Sequence, residues 1–114
     1  MNERDRLFLG HILAAIADIG DFTRDGRAAF LADRKTQSAV IRQLEIIGEA
    51  VKRLSIESTS AEPSVPWRQI SGARDRLIHG YFNVDVDAVW AMVEQDLPAL
   101  RDRVSKLLAR SPAA

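Results

Sequence analysis

The 114 residues hold sixteen basic and sixteen acidic side chains, two histidines, no cysteine and 46% hydrophobic residues. One compact domain, residues 1–114, is the expectation at this length, and a reducing cytoplasm suits a chain that can form neither disulfides nor thiolate metal sites. Balanced charge excludes a global basic field for nucleic acid, and no apolar run approaches the roughly 20 residues of a membrane span.

The start, "MNERDRLFLG", carries two acids and lacks the apolar stretch of a signal peptide. The first predicted helix runs from about Glu3 to Ile19, with Leu9, Ile12, Ile16 and Ile19 recurring at helical spacing. Gly20 and "DFTRDG" predict a turn, and "RAAFLAD" (27–33) a short helical piece.

The segment 35–55 has the clearest pattern: Val40, Leu44, Ile47, Val51 and Leu54 step by four and three. Arg42, Glu45, Glu49 and Arg53 lie on the opposite side, which reads as a solvated or salt-bridged face. Ala39, Ile46 and Ala50 widen the apolar arc on one flank, Ile41 and Gly48 on the other. Such an arc predicts either a helix in the middle of a bundle or one that also meets a second chain. Gly48 costs about 1 kcal/mol against alanine inside a helix, and close packing is its expected return.

The stretch "SIESTSAEPSVP" (55–66) and the tail "SPAA" read as loose. Pro66 introduces a helix over 66–79, which Ser71-Gly72 could bend or interrupt. The last helix starts after Asp85 or Asp87, either of which can cap it. Its seam runs through Val86, Trp90, Val93, Leu97, Leu100, Val104 and Leu107, with a kink or short break expected at Pro98 and the seam expected to stay in phase across it, between two nearly collinear pieces. The fold class is therefore all-α, an antiparallel up-and-down bundle of four to five helices.

At the end of the 66–79 helix, "SGARDRLIHGYFNVD" crowds Arg74, Asp75, His79 and Tyr81 around Gly80. Asp75 and His79 are i and i+4 and share a face. Arg74 is about 140° around from His79, with a side chain long enough to swing toward the helix end. Gly80 readily takes the left-handed conformation that ends a helix. Residue by residue, an ordinary helix terminus accounts for all of this, since a cation in the last turn stabilises by about 0.3–1 kcal/mol.

The combination points to chemistry. A titratable imidazole, a carboxylate to orient it, a fixed cation and a phenol suit RNA cleavage by the ribose 2′-OH on its own phosphate. That route needs no metal, but it does need two proton-transfer groups, and His79 is one. His11, in the first helix, reads as a surface or satisfied helix histidine. A two-fold dimer would bring a second copy of His79 and Arg74 to the same cleft. No metal-ligand repeat, Walker-type loop or G-x-G-x-x-G is present, so no cofactor is expected.

The stretch "RDRLIHGYF" resembles the R-x4-H-x-Y motif of the HEPN superfamily, with Arg74, His79 and Tyr81 in the three places and Asp75 after the arginine. The resemblance is closest to the HepT-like branch and extends to "AVIRQLEIIGEAVKRLS" (39–55), "VPWRQISGARDRLIHGYFNVD" (65–85) and "VWAMVEQDLPALRDRV" (89–104). It implies an all-α homodimer whose motifs line a shared cleft. It also implies a metal-independent RNase that serves as the toxin of a type VII toxin–antitoxin pair. By the family pattern Arg74 and His79 are catalytic with Asp75 assisting. The partner implied is an MntA-type minimal nucleotidyltransferase antitoxin, in a complex that could be larger than the dimer. Its transfer of AMP to Tyr81 would block the site with charge and bulk. Some HEPN domains are non-catalytic binding modules, so an adaptor that binds a nucleotide or partner at the same rim is the alternative.

Overall fold

Asn2 opens the first helix, α1 (Glu3–Phe22), by accepting a hydrogen bond from the Asp5 N–H at 2.7 Å. The computed structural model describes the backbone of residues 1–79 and 84–110, and the side chains of all these except 74–79. Leu9, Ile12, Ala15, Ile16 and Ile19 form the buried stripe of α1. The helix runs past the expected stop at Ile19. Thr23 closes it instead, donating both its N–H (3.0 Å) and its hydroxyl (2.7 Å) to the Ile19 carbonyl. Continuing helical hydrogen bonds outweigh the intrinsic cost of Gly20, about 1 kcal/mol.

The real break is Gly26, whose φ of 92° and ψ of −177° fall in a region essentially reserved for glycine. It starts α2 (Arg27–Ala32), anchored by buried Phe30. Asp33 then caps α3 (Arg34–Lys52), accepting from the Lys35 N–H at 3.0 Å and the Thr36 hydroxyl at 2.8 Å. Gln37 reaches back to the Phe30 and Leu31 carbonyls at 3.0 and 3.1 Å, satisfying the end of α2.

On α3 the seam residues Val40, Leu44, Ile47 and Val51 are buried together with Gly48 and Ala50. This helix packs on α1, and it also packs on α5 (Trp67–His79). Its wide apolar arc thus serves a helix in the middle of the bundle. The opposite face is salt-bridged as expected, Arg42 to Glu45 at 3.3 Å and Arg53 to Glu49 at 3.0 Å.

The stretch expected to be loose contains a helical turn, α4 (Ile56–Ser60). Ser55 caps it by accepting from the Ser58 N–H at 3.3 Å. Polar, β-branched residues of modest helix propensity hid this turn from any periodicity. Downstream, the Trp67 indole N–H is shared between the Thr59 and Glu62 carbonyls at 3.0 and 3.1 Å. Ser71-Gly72 does not interrupt α5.

Of the two candidate caps for the last helix, Asp85 is the one used, accepting from the Asp87 and Ala88 N–H groups at 3.0 and 3.3 Å. It starts α6 (Val86–Ala91), which continues through a π-helical turn at Met92–Asp96 into α7 (Leu97–Arg110). The expected break at Pro98 takes this form. Proline removes the hydrogen bond that residue 98 would donate back, and the wider turn just upstream closes on a bond from the Leu97 N–H to the Met92 carbonyl. A π turn takes in one extra residue, so the seam slips by one position. Leu97, Leu100, Val104 and Leu107 are buried below it, while above it Val89 is buried and Trp90 only partly so.

The described residues thus form an all-α bundle of four long helices and three short ones. Helix α7 packs on α1, α1 on α3, and α3 on α5, while α2 bridges α3 and α6.

Candidate functional site

Helix α5 is the element that carries the motif. Trp67 and Ile70 pack against the core from its first turns, and its backbone stays helical to His79. Arg74, Asp75 and His79 therefore sit on its last turns. Their side chains lie outside the described residues, as do Gly80 and Tyr81. Residues 80–85 join His79 to Val86 at the start of α6.

The far end of that connection is firmly held. Phe30 of α2 and Trp90 of α6 stack with ring centroids 5.3 Å apart and a 39° tilt. Arg27 pairs with Asp87 at 3.0 Å across the same two helices. The Trp90 indole nitrogen is buried and finds no hydrogen-bond partner among the described residues. Both ends of the segment containing Tyr81 are thereby tied to the bundle, one through α3 and the other through α2.

Beside α5 lies an open groove of about 460 Å³. Leu44 and Ile47 of α3 floor it, Ile70 and Ala73 form one wall, and Met92 and Leu97 form the other. Ser64, Gln69, Gln95, Asp96 and Arg103 supply its polar side chains, with the Ser64 hydroxyl already donated to Glu62. Of these apolar residues the sequence marks Leu44, Ile47 and Leu97 as seam positions, and not Ile70, Ala73 or Met92. Sequence reading missed the groove because nothing in periodicity says that α5 and α7 stand apart.

Two buried carboxylates were also missed. Asp5 accepts from the Ser55 N–H (3.0 Å), the Ser58 hydroxyl (2.5 Å) and the Ser55 hydroxyl. Burial pushes its pKa up, but those hydrogen bonds prevail and hold it below the ordinary value of 3.8. Glu62 accepts from the Ser64 hydroxyl at 2.6 Å and pairs with Arg110 at 2.9 Å and Arg103 at 3.7 Å. The Ser64 bond lowers its pKa most, burial opposes, and the two arginines complete a net shift below 4.5. These are satisfied structural carboxylates. The only sequence hint was the pair of serines, Ser55 and Ser58, at capping spacing.

His11 is exposed and stands edge-on to Phe8, ring centroids 5.5 Å apart at 88°, as a surface histidine would. Among the described residues no group of three or more histidine and carboxylate side chains gathers as metal ligands, and no helix is long and apolar enough to cross a membrane.

Comparison with known proteins follows the same blocks. Residues 12–107 match the family model described as Ribonuclease HepT-like. The chain is 44% identical over 108 residues to "Probable ribonuclease HepT" of Thermococcus cleftensis, covering 94% of this chain and 98% of that one. A Methanocaldococcus jannaschii protein with RNase in its name is 47% identical over 94 residues, covering 82% and 78%. Another such protein, from Caldanaerobacter subterraneus subsp. tengcongensis, is 41% identical over 81 residues, covering 71% and 72%. No solved structure matches this chain significantly.

Proposed function

The chain belongs to the HepT-like ribonuclease family, and from that premise we propose that it is an endoribonuclease cutting RNA through Arg74 and His79. The observation that carries this reading is the family match over 12–107, which takes in α5 and the whole "RDRLIHGYF" stretch. In the proposed reaction neutral His79 removes the proton from a ribose 2′-OH, with Asp75 orienting the imidazole. The alkoxide attacks the adjacent phosphorus, Arg74 stabilises the charged phosphorane, and the P–O5′ bond breaks. The departing 5′-oxygen takes a proton from a second His79, that of another copy of the chain. Products are a 2′,3′-cyclic phosphate and a free 5′-hydroxyl. The balance closes without a metal.

The biological role proposed is that of a toxin paired with an MntA-type nucleotidyltransferase. Control runs through Tyr81: its phenolic oxygen attacks the α-phosphorus of ATP, pyrophosphate leaves, and the AMP ester excludes the RNA backbone by charge and bulk.

The deciding experiment is cleavage of single-stranded RNA by purified protein and by its His79→Ala variant. Cleavage should vanish in the variant while its melting temperature holds. Full cleavage by the folded variant would refute the assignment.

A further inference from the structure

The groove beside α5 combines apolar walls with a small, chemically legible set of polar groups. We propose that it is a base-recognition subsite, receiving an unpaired guanine of the RNA next to the scissile phosphate. The proposal rests on the RNA reading above and adds which base is read, and by which residues.

Place is the first argument. Ala73 lines the groove, and Arg74, the proposed phosphorane cation, is the next residue along α5. A base that enters here therefore lies close along α5 to the helix end that carries the motif. Size is the second. About 460 Å³ lies within the roughly 300–1,000 Å³ of ligand clefts, and Ile70, Met92 and Leu97 give it an apolar lining suited to a planar ring. Single-stranded RNA is read in this way, by splaying a base out and bonding its exposed edge.

Chemistry selects the base. Asp96 is an acceptor only when ionised, so the edge it meets must donate. Guanine presents N1–H and N2–H₂ side by side, matching the two oxygens of one carboxylate. Adenine and cytosine each offer a single amino group beside a ring acceptor, and uracil a single N–H flanked by two carbonyls. The amides of Gln69 and Gln95 can then donate to O6. Arg103, half exposed and 3.7 Å from Glu62, stands at the same groove to meet a phosphate. Gln69, Gln95 and Asp96 have no hydrogen-bond or ion-pair partner among the described residues, so bonding the base displaces no contact of theirs. Gln95 and Asp96 both belong to the π turn, an irregularity that often marks working sites.

The test uses full-length His79→Ala protein, which separates binding from cutting, and four pentaribonucleotides, UUNUU with N as G, A, C or U. The G oligonucleotide should bind about tenfold more tightly than the others and shift the side-chain amide signals of Gln69 and Gln95. Asp96→Asn and Gln69→Ala, made separately, should each erase most of that preference while leaving residual backbone binding. Equal affinity for all four, or a preference undiminished in both variants, overturns the proposal. So do groove signals that respond to protein concentration and ignore RNA, which would give the groove to a second copy. A guanine preference in a protein that never cuts RNA would leave the subsite standing and remove the ribonuclease.

Discussion

Asp5 and Ser55, fifty residues apart, are joined twice: the Ser55 N–H and hydroxyl bond the two oxygens of one buried carboxylate. With Ser58 added, this ties the first turn of α1 to the start of α4. Removing the carboxylate leaves those donors unsatisfied, so Asp5→Ala should cost about 1–3 kcal/mol in urea denaturation.

The same carboxylate sets an acid limit. Its pKa is lower folded than unfolded, so the unfolded chain binds the proton first as pH falls. The stabilisation is complete above the ordinary value of 3.8 and is lost as pH drops through the folded value. Wild type and Asp5→Asn, denatured across pH 2 to 7, should differ by a constant amount near neutrality and converge at the acid end. A gap that widens toward low pH would contradict the assignment.

Gly26 and Gly10 should respond oppositely to alanine. At Gly26 the positive φ penalises any side chain, although nothing lies within 4 Å of a new Cβ, and the cost should be about 1–3 kcal/mol. At Gly10, inside α1 with the same free space, alanine should stabilise by about 0.5–1 kcal/mol. Thermal melts of the two variants should move in opposite directions.

Phe30 holds the α2–α6 corner. Buried against Trp90, it should cost about 3–5 kcal/mol when cut to alanine. Ile56, 81% exposed, should cost less than about 0.5 kcal/mol for the same change. Equal losses would mean that the corner is not part of the cooperative core.

The proposed control through Tyr81 is tested by intact mass. Incubation with an MntA-type nucleotidyltransferase and ATP should add the mass of AMP, abolish RNA cleavage, and do neither in Tyr81→Phe. Addition that persists in the variant would place the control elsewhere.

By itself the sequence determined the all-α class, the buried seams and the family. Apolar residues at helical spacing and three matching blocks are local patterns that need no partner to be read. It also placed Arg74, Asp75 and His79 at the end of one helix, because a four-residue step is legible in one dimension. Tertiary structure alone decided the rest. The charge of Asp5 found its serines fifty positions away. The seam of the last helix slipped by one where Pro98 displaced the hydrogen bonding upstream. And the groove exists because α3 packs with α1 and α5 while α7 leans on α1, an arrangement set by how unlike helices fill space. Spacing along a chain records which faces are apolar; only packing settles which of them are left uncovered.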